Sequence, residues 1–85
     1  MKIGYVDLDE KIKDILRSNL QKALVLKNKT LPLPGQEDMV REVYSESLVQ
    51  SMRDTVVEYY RLEKEHDLDI EISQEDLVKL YYRMA

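Results

Sequence analysis

Acidic side chains are the most frequent candidates for catalytic or metal-binding groups in this chain. The 85 residues include 17 Asp and Glu, with adjacent pairs at Glu37/Asp38 and Glu75/Asp76. Such pairs act as general acid and base only where a cavity separates their pKa values, and a chain this acidic contains pairs by chance. There is no Cys and a single His, His66, so thiolate nucleophiles and the usual zinc centres lack their ligands. We therefore expect no enzyme and no cofactor, and we assign no catalytic, cofactor-binding or metal-binding residue.

The stretch from Glu65 to Asp76 has part of the spacing of a calcium-binding loop. However, Ile70 occupies the position where the sharp turn of such a loop requires Gly, and Asp76 replaces the bidentate Glu that closes it. A solvated acidic turn that leads into a capped helix accounts for the same residues. We prefer this structural interpretation.

The charge is divided unevenly between the two halves of the chain. Residues 1–35 contain seven Lys and Arg against four Asp and Glu, a net of +3, and residues 36–85 contain six against thirteen, a net of −7. An acidic second half repels phosphate backbones, so we do not expect nucleic-acid binding through it. The basic residues Lys22, Lys27 and Lys29 could contact an anion, although cations are also favoured at a helix C-terminus.

The chain is predicted to fold as a single small helical domain, residues 1–85, with residues 1–6 extended or flexible. Apolar residues from Ile12 to Leu24 recur on one helical face and predict a helix over about 8–27. Pro32, Pro34 and Gly35 then predict a connector. From Met39 to Leu62 apolar residues recur every three or four positions, without Gly or Pro, which predicts one long central helix over about 37–65.

The last part of the chain predicts a strand followed by a helix. Leu68, Ile70 and Ile72 alternate with acidic residues, which is typical of a short strand over 68–72. Ser73 and Asp76 have the spacing of a capping box, so we expect a helix over about 74–84. The expected fold class is all-α, with a medium, a long and a short helix and this possible strand.

The segment Ile72-Ser73-Gln74-Glu75-Asp76-Leu77 resembles the start of the last helix of the histone fold. Leu48/Val49, Met52 and Val56 stand where that family keeps apolar residues in its central helix, and the resemblance covers about residues 37–84. The loop Asp67-Leu68-Asp69-Ile70-Glu71 departs from the basic loop of DNA-binding histones. The resemblance therefore implies an acidic, non-nucleosomal member, which would function as an obligate dimer in the nucleus.

The residues favour a protein–protein interaction module: a small subunit, adaptor or inhibitor that binds itself or another protein, as a homodimer or heterodimer. A central helix of this length has a wider apolar face than one small chain is expected to cover. We therefore predict that the residues at the centre of the core or interface are Tyr44, Leu48, Met52, Val56, Tyr59, Tyr60 and Tyr81. The alternative is a regulator of nucleic-acid transactions that uses Lys22, Lys27 and Lys29.

The location is predicted from what the N-terminal sequence lacks. No stretch of the chain is apolar for long enough to cross a bilayer, and the first residues do not form a secretory signal. We therefore expect an intracellular protein, cytoplasmic unless the histone resemblance holds.

Overall fold

The longest helix begins shortly after a short N-terminal strand. The computed structural model describes residues 2–61 and 69–83. Strand β1 (Lys2–Gly4) is followed by a 3-10 turn (Tyr5–Asp7) and then by helix α1 (Glu10–Asn28). Helix α1 is close to the predicted helix over 8–27. Its four buried residues form one stripe at intervals of four: Ile12, Leu16, Leu20 and Leu24.

The connector after α1 is shaped by Pro34 and Gly35. The Gln36 N–H donates to the Leu33 carbonyl oxygen at 3.0 Å, which closes a turn around the Pro-Gly pair. Gly35 has φ +92°, in the left-handed region that glycine enters without a Cβ clash, so this pair suits the two central positions of a type II turn. The predicted connector is thus confirmed.

The single long central helix that we predicted is wrong, because the structure has two helices in its place. Helix α2 (Glu37–Glu42) ends before Val43, and helix α3 (Glu46–Tyr60) begins after Ser45. Ser45 has an extended backbone, and its side chain accepts a hydrogen bond from the Leu48 N–H at 3.2 Å. This cap satisfies a free donor at the start of α3, which favours a new helix over continuation of the old one. Residues 62–65 of the predicted helix lie outside the described residues.

The break between α2 and α3 lets the two helices pack against different neighbours. Helix α2 packs mainly against α4 (Gln74–Tyr82) and less against α1, whereas α3 packs against α1. The Tyr44 hydroxyl, at the break, donates to the Ile72 carbonyl oxygen at 3.0 Å.

The predicted strand over 68–72 is confirmed for Asp69–Glu71, which form β2. Ile72 follows the strand and is not part of it, and residue 68 lies outside the described residues. Strand β2 pairs in parallel with β1, with Ile3 opposite Ile70. Strand β1 was not predicted as its partner, because three residues are too few to show a period.

The last helix confirms the predicted capping box. The Ser73 hydroxyl accepts from the Asp76 N–H at 3.1 Å, and the Asp76 carboxylate accepts from the Ser73 N–H at 2.9 Å. Helix α4 runs over Gln74–Tyr82, while residues 84 and 85 lie outside the described residues. The described fold is therefore all-α with four helices, as against the three we predicted, and one two-stranded sheet.

The core lies between α1 and the other three helices. It contains the α1 stripe together with Val40, Met52, Val56, Leu77 and Leu80. Helices α1, α3 and α4 each end at a basic residue in the left-handed conformation: Lys29 (φ 62°), Arg61 (φ 53°) and Arg83 (φ 55°).

Candidate functional site

Three of the predicted interface residues lie inside the chain's own core. Met52 and Val56 have no exposed surface, and Tyr81 is 8% exposed. The Tyr81 hydroxyl donates to the Pro32 carbonyl oxygen at 2.7 Å. In this conformation a partner cannot reach these side chains, because α1 and the connector already cover them.

The other four predicted residues lie at or near the surface. Leu48 and Tyr60 are partly buried and pack against the core, and the Tyr60 hydroxyl accepts from the Asp9 N–H at 3.2 Å. Tyr44 and Tyr59 are exposed, each by close to two fifths of its surface. These residues do not form one continuous face, since Tyr44 belongs to the break between α2 and α3 and Tyr59 to the far end of α3.

The two tyrosine doublets have similar geometries. The rings of Tyr59 and Tyr60 meet edge to face with centroids 4.9 Å apart, and those of Tyr81 and Tyr82 do so at 4.8 Å. In each doublet one ring is more deeply buried than the other, as expected for adjacent residues that point about 100° apart on a helix.

The most exposed large apolar side chain whose burial the structure describes is Leu26, with 85% of its surface accessible. Val25 is 44% and Leu31 is 43% exposed. These three residues lie at the end of α1 and in the following connector, and we call them the α1 C-terminal patch. Single exposed leucines are ordinary on protein surfaces, whereas clustered ones mark interaction sites.

Two open grooves meet at Leu26. The outer groove, of about 470 Å³, lies between α1 and the connector and is lined by Gln21, Lys22, Val25, Leu26 and Leu31 among others. The inner groove, of about 420 Å³, lies between α1 and the start of α3 and includes Ala23, Val43 and Leu48. Leu48 is the one predicted interface residue that takes part in either groove.

The connector is held in place beside α1 by tyrosines of α4. The Tyr81 hydroxyl binds the carbonyl oxygen of Pro32, and the Tyr82 hydroxyl donates to that of Leu33 at 2.7 Å. Burial, with a smaller contribution from the Glu37 carboxylate, raises the pKa of Tyr82. The Tyr82 hydroxyl therefore remains a protonated donor at neutral pH. The two hydrogen bonds hold the connector, which carries Leu31, beside α1.

Positive charge surrounds the α1 C-terminal patch. Between Asp14 and Glu37 the chain has the basic residues Arg17, Lys22, Lys27 and Lys29 and no acidic residue. Lys22, Lys27 and Lys29 are exposed. The Lys27 ammonium donates to the Glu42 carbonyl oxygen at 2.7 Å, so part of this cluster also ties α1 to the end of α2.

A groove along α3 has the opposite character. It is lined by Glu46, Gln50, Asp54 and Glu58 together with Ser47, Ser51 and Thr55. This acidic groove contains no apolar side chain in its lining.

A group of ion pairs centred on Arg41 joins α2 to α4. The Arg41 guanidinium donates to the Glu75 carboxylate at 2.6 Å and to that of Asp38 at 2.7 Å. The hydrogen bond from Arg41 lowers the pKa of Glu75 below its usual range. Both side chains are partly exposed, by 34% for Arg41 and 61% for Glu75, and the pair ties α2 to α4.

The acidic calcium-type loop cannot be placed in full, because Glu65, His66 and Asp67 lie outside the described residues. Within 2–61 and 69–83, no group of three or more His, Cys, Asp or Glu residues is placed to hold a metal ion. Over the same ranges, no helix has the length and apolar character required to span a membrane.

In comparisons with known proteins, no family model matches the chain, and no curated protein or solved structure is significantly similar to it.

The α1 C-terminal patch was not predicted from the sequence, although the spacing of its residues on α1 indicates their exposure. Val25 and Leu26 follow the buried stripe directly and fall off its four-residue spacing. Successive residues of an α-helix turn by about 100°, so Leu26 points roughly 200° away from the buried Leu24. A leucine in that position is exposed unless another element covers it.

Proposed function

We propose that this protein is a small helical protein–protein interaction module that binds its partner through the α1 C-terminal patch. The observation that carries the proposal is the exposure of Leu26 at the junction of two apolar grooves. Burying a leucine that is exposed in the free protein contributes about 2 kcal/mol to association, before the cost of ordering the partners. The proposed binding surface is at the end of α1, whereas the sequence predicted it on the apolar face of the central helix.

The predicted central residues support this change of surface. Met52 and Val56 already stabilise the monomer, so their apolar character needs no partner to explain it. Leu48, by contrast, is partly buried and extends the inner groove. The module can therefore fold first and bind afterwards as a preformed surface.

A photo-crosslinking experiment tests the proposal. A benzophenone amino acid replaces Leu26 in one variant and Lys11, which is exposed nearer the other end of α1, in the control variant. We expect a discrete protein adduct from position 26 and none from position 11, in the cells that naturally make the protein. The identified partner, once purified, should bind Leu26→Ser at least tenfold more weakly than the unchanged chain.

Adducts that form equally from both positions would contradict the proposal. So would a purified partner whose affinity does not change in Leu26→Ser. A thermal melt of Leu26→Ser provides the control for folding, which we expect to be unaffected because the side chain is almost fully exposed.

The resemblance to the histone fold stays a prediction, as does its implied dimer. The alternative function, regulation of nucleic-acid transactions through Lys22, Lys27 and Lys29, also stays a prediction. The patch favours a protein partner over it, because three apolar side chains lie among these lysines, and phosphate backbones offer no apolar surface to cover them.

A further inference from the structure

We propose that the α1 C-terminal patch binds an acidic amphipathic helix, whose apolar side chains fill the two grooves while its carboxylates face Lys22, Lys27 and Lys29. This inference rests on the proposed function and adds the chemical class of the partner.

The grooves suit the side chains of a helix. An amphipathic helix presents apolar residues at intervals of three and four, and these anchor in neighbouring hydrophobic depressions. Here the outer and inner grooves share Leu26, so their occupants would lie on either side of one ridge. Binding as an added strand would instead need a sheet edge, and the two described strands are at Lys2–Gly4 and Asp69–Glu71, outside the residues that line either groove.

Charge determines which amphipathic helix fits. The segment between Asp14 and Glu37 has no acidic residue, and its lysines flank the apolar side chains. Acidic residues on the rim of a partner would meet opposite charge, which steers association and discriminates against basic partners. A basic amphipathic helix would place like charges together around the same grooves.

The same charges argue against a second copy of this chain as the occupant. In a symmetric dimer through the patch, Lys22, Lys27 and Lys29 of one protomer would face the same residues of the other. The acidic groove of α3 could provide the opposite charge, but its lining has no apolar side chain to cover Leu26. A contact of that kind is also head to tail, so it would form a closed ring or an open chain of copies.

The test is a selection from a displayed library of helical peptides. Each peptide carries leucine along one face, and its remaining positions are randomised between Glu and Lys. We expect peptides enriched on the unchanged protein to be rich in Glu beside the leucines, and their affinity to fall at least tenfold on Leu26→Ser. On the double variant Lys22→Glu/Lys29→Glu the charge preference should reverse towards Lys.

A matched control separates local charge from net charge. Lys11 is exposed about 16 Å along α1 from Lys22, at about 1.5 Å per residue. Lys11→Glu, combined with Lys79→Glu, changes the net charge as much as the double variant does. We expect this control to keep the preference for Glu-rich peptides.

Several results would overturn the inference. Enrichment without a charge preference, or with a preference for Lys, would show that the patch does not select acidic partners. The absence of any enriched peptide would exclude an amphipathic helix as the occupant. In all three cases the crosslink from position 26 would still test the proposed function by itself.

Two further measurements test whether the patch binds a second copy of the chain or a nucleic acid instead of an acidic helix. If light scattering shows a dimer that Leu26→Ser dissociates, a second copy occupies the patch and the inference fails. If a labelled DNA duplex binds at low salt, and binding is lost in Lys22→Glu/Lys29→Glu but retained in Leu26→Ser, the lysines recognise phosphates instead.

Discussion

Leu24 and Leu26 lie two residues apart on the same helix, yet one has no exposed surface and the other is 85% exposed. The difference comes from the direction of each side chain relative to the packed helices. Leu24 belongs to the core that α1 forms with the other helices, whereas Leu26 points about 200° away from it. Residues of the buried stripe determine whether the chain folds. Residues of the α1 C-terminal patch are free to determine what the folded chain binds.

Truncating each leucine gives the sharpest contrast between the two regions. Leu24→Ala should lower the free energy of unfolding by about 2–5 kcal/mol, since it leaves a cavity in a packed core. Leu26→Ala should change it by about 0.5 kcal/mol or less, as surface substitutions usually do. Urea unfolding of the two variants checks this, and equal losses would mean that Leu26 is packed in solution.

The next largest effect concerns the tyrosines that fix the connector. Tyr81→Phe should cost about 1–3 kcal/mol, because it leaves the buried Pro32 carbonyl oxygen without its donor. Tyr82→Phe should cost less, about 0.5 kcal/mol, because its hydrogen bond to Leu33 is exposed. Thermal denaturation of the pair measures both, and a larger loss in Tyr82→Phe would contradict the assignment of burial.

Removing the cap of α3 should have a moderate effect. Ser45→Ala deletes the hydrogen bond to the Leu48 N–H and should lower the free energy of unfolding by about 1 kcal/mol. Ser47→Ala, at an exposed position two residues later, is the matched control and should have almost no effect. Stability unchanged in Ser45→Ala would indicate that α2 and α3 join into one helix in solution.

The smallest predicted effect is the acid sensitivity contributed by Glu75. Its pKa is lower in the folded chain than the ordinary 4.5, chiefly because Arg41 donates a hydrogen bond to it. The stabilisation is therefore present above about pH 4.5 and is lost as the pH falls through the folded pKa. Urea midpoints of Glu75→Gln should fall less on acidification than those of the unchanged chain. An identical fall in both would show that Arg41 and Glu75 are not coupled.

Most of the helical fold could be predicted from the sequence, because local signals agree with the packing. The four-residue spacing of α1, the Pro-Gly turn and the Ser73 cap each act over a few residues. The division of the central helix was missed because apolar spacing continued through it. Ser45 carries the only local signal of the break, and a serine inside an apolar pattern is easily interpreted as a solvent-facing residue.

The candidate site was harder to predict than the fold. Core and interface residues are chemically alike, so Met52, Val56 and Tyr81 could not be assigned to one role before their coverage was known. The patch depends on which side of α1 the other helices leave open. Which side stays open is decided by tertiary packing, and the apolar spacing within one helix does not reveal it.

The left-handed ends of three helices carry a further consequence, for thermal adaptation. Glycine takes this conformation without strain, whereas a residue with a Cβ is disfavoured there by about 1–2 kcal/mol. A cation at a helix C-terminus recovers only about 0.3–1 kcal/mol of this. Glycine at Arg61 would therefore relieve this strain and make the protein more heat-resistant, whereas at Arg83 it would also remove the ion pair with Asp14 at 3.3 Å. At Lys29 the same change would also remove a positive charge beside Leu31, so heat resistance and partner recognition make opposite demands on that one residue.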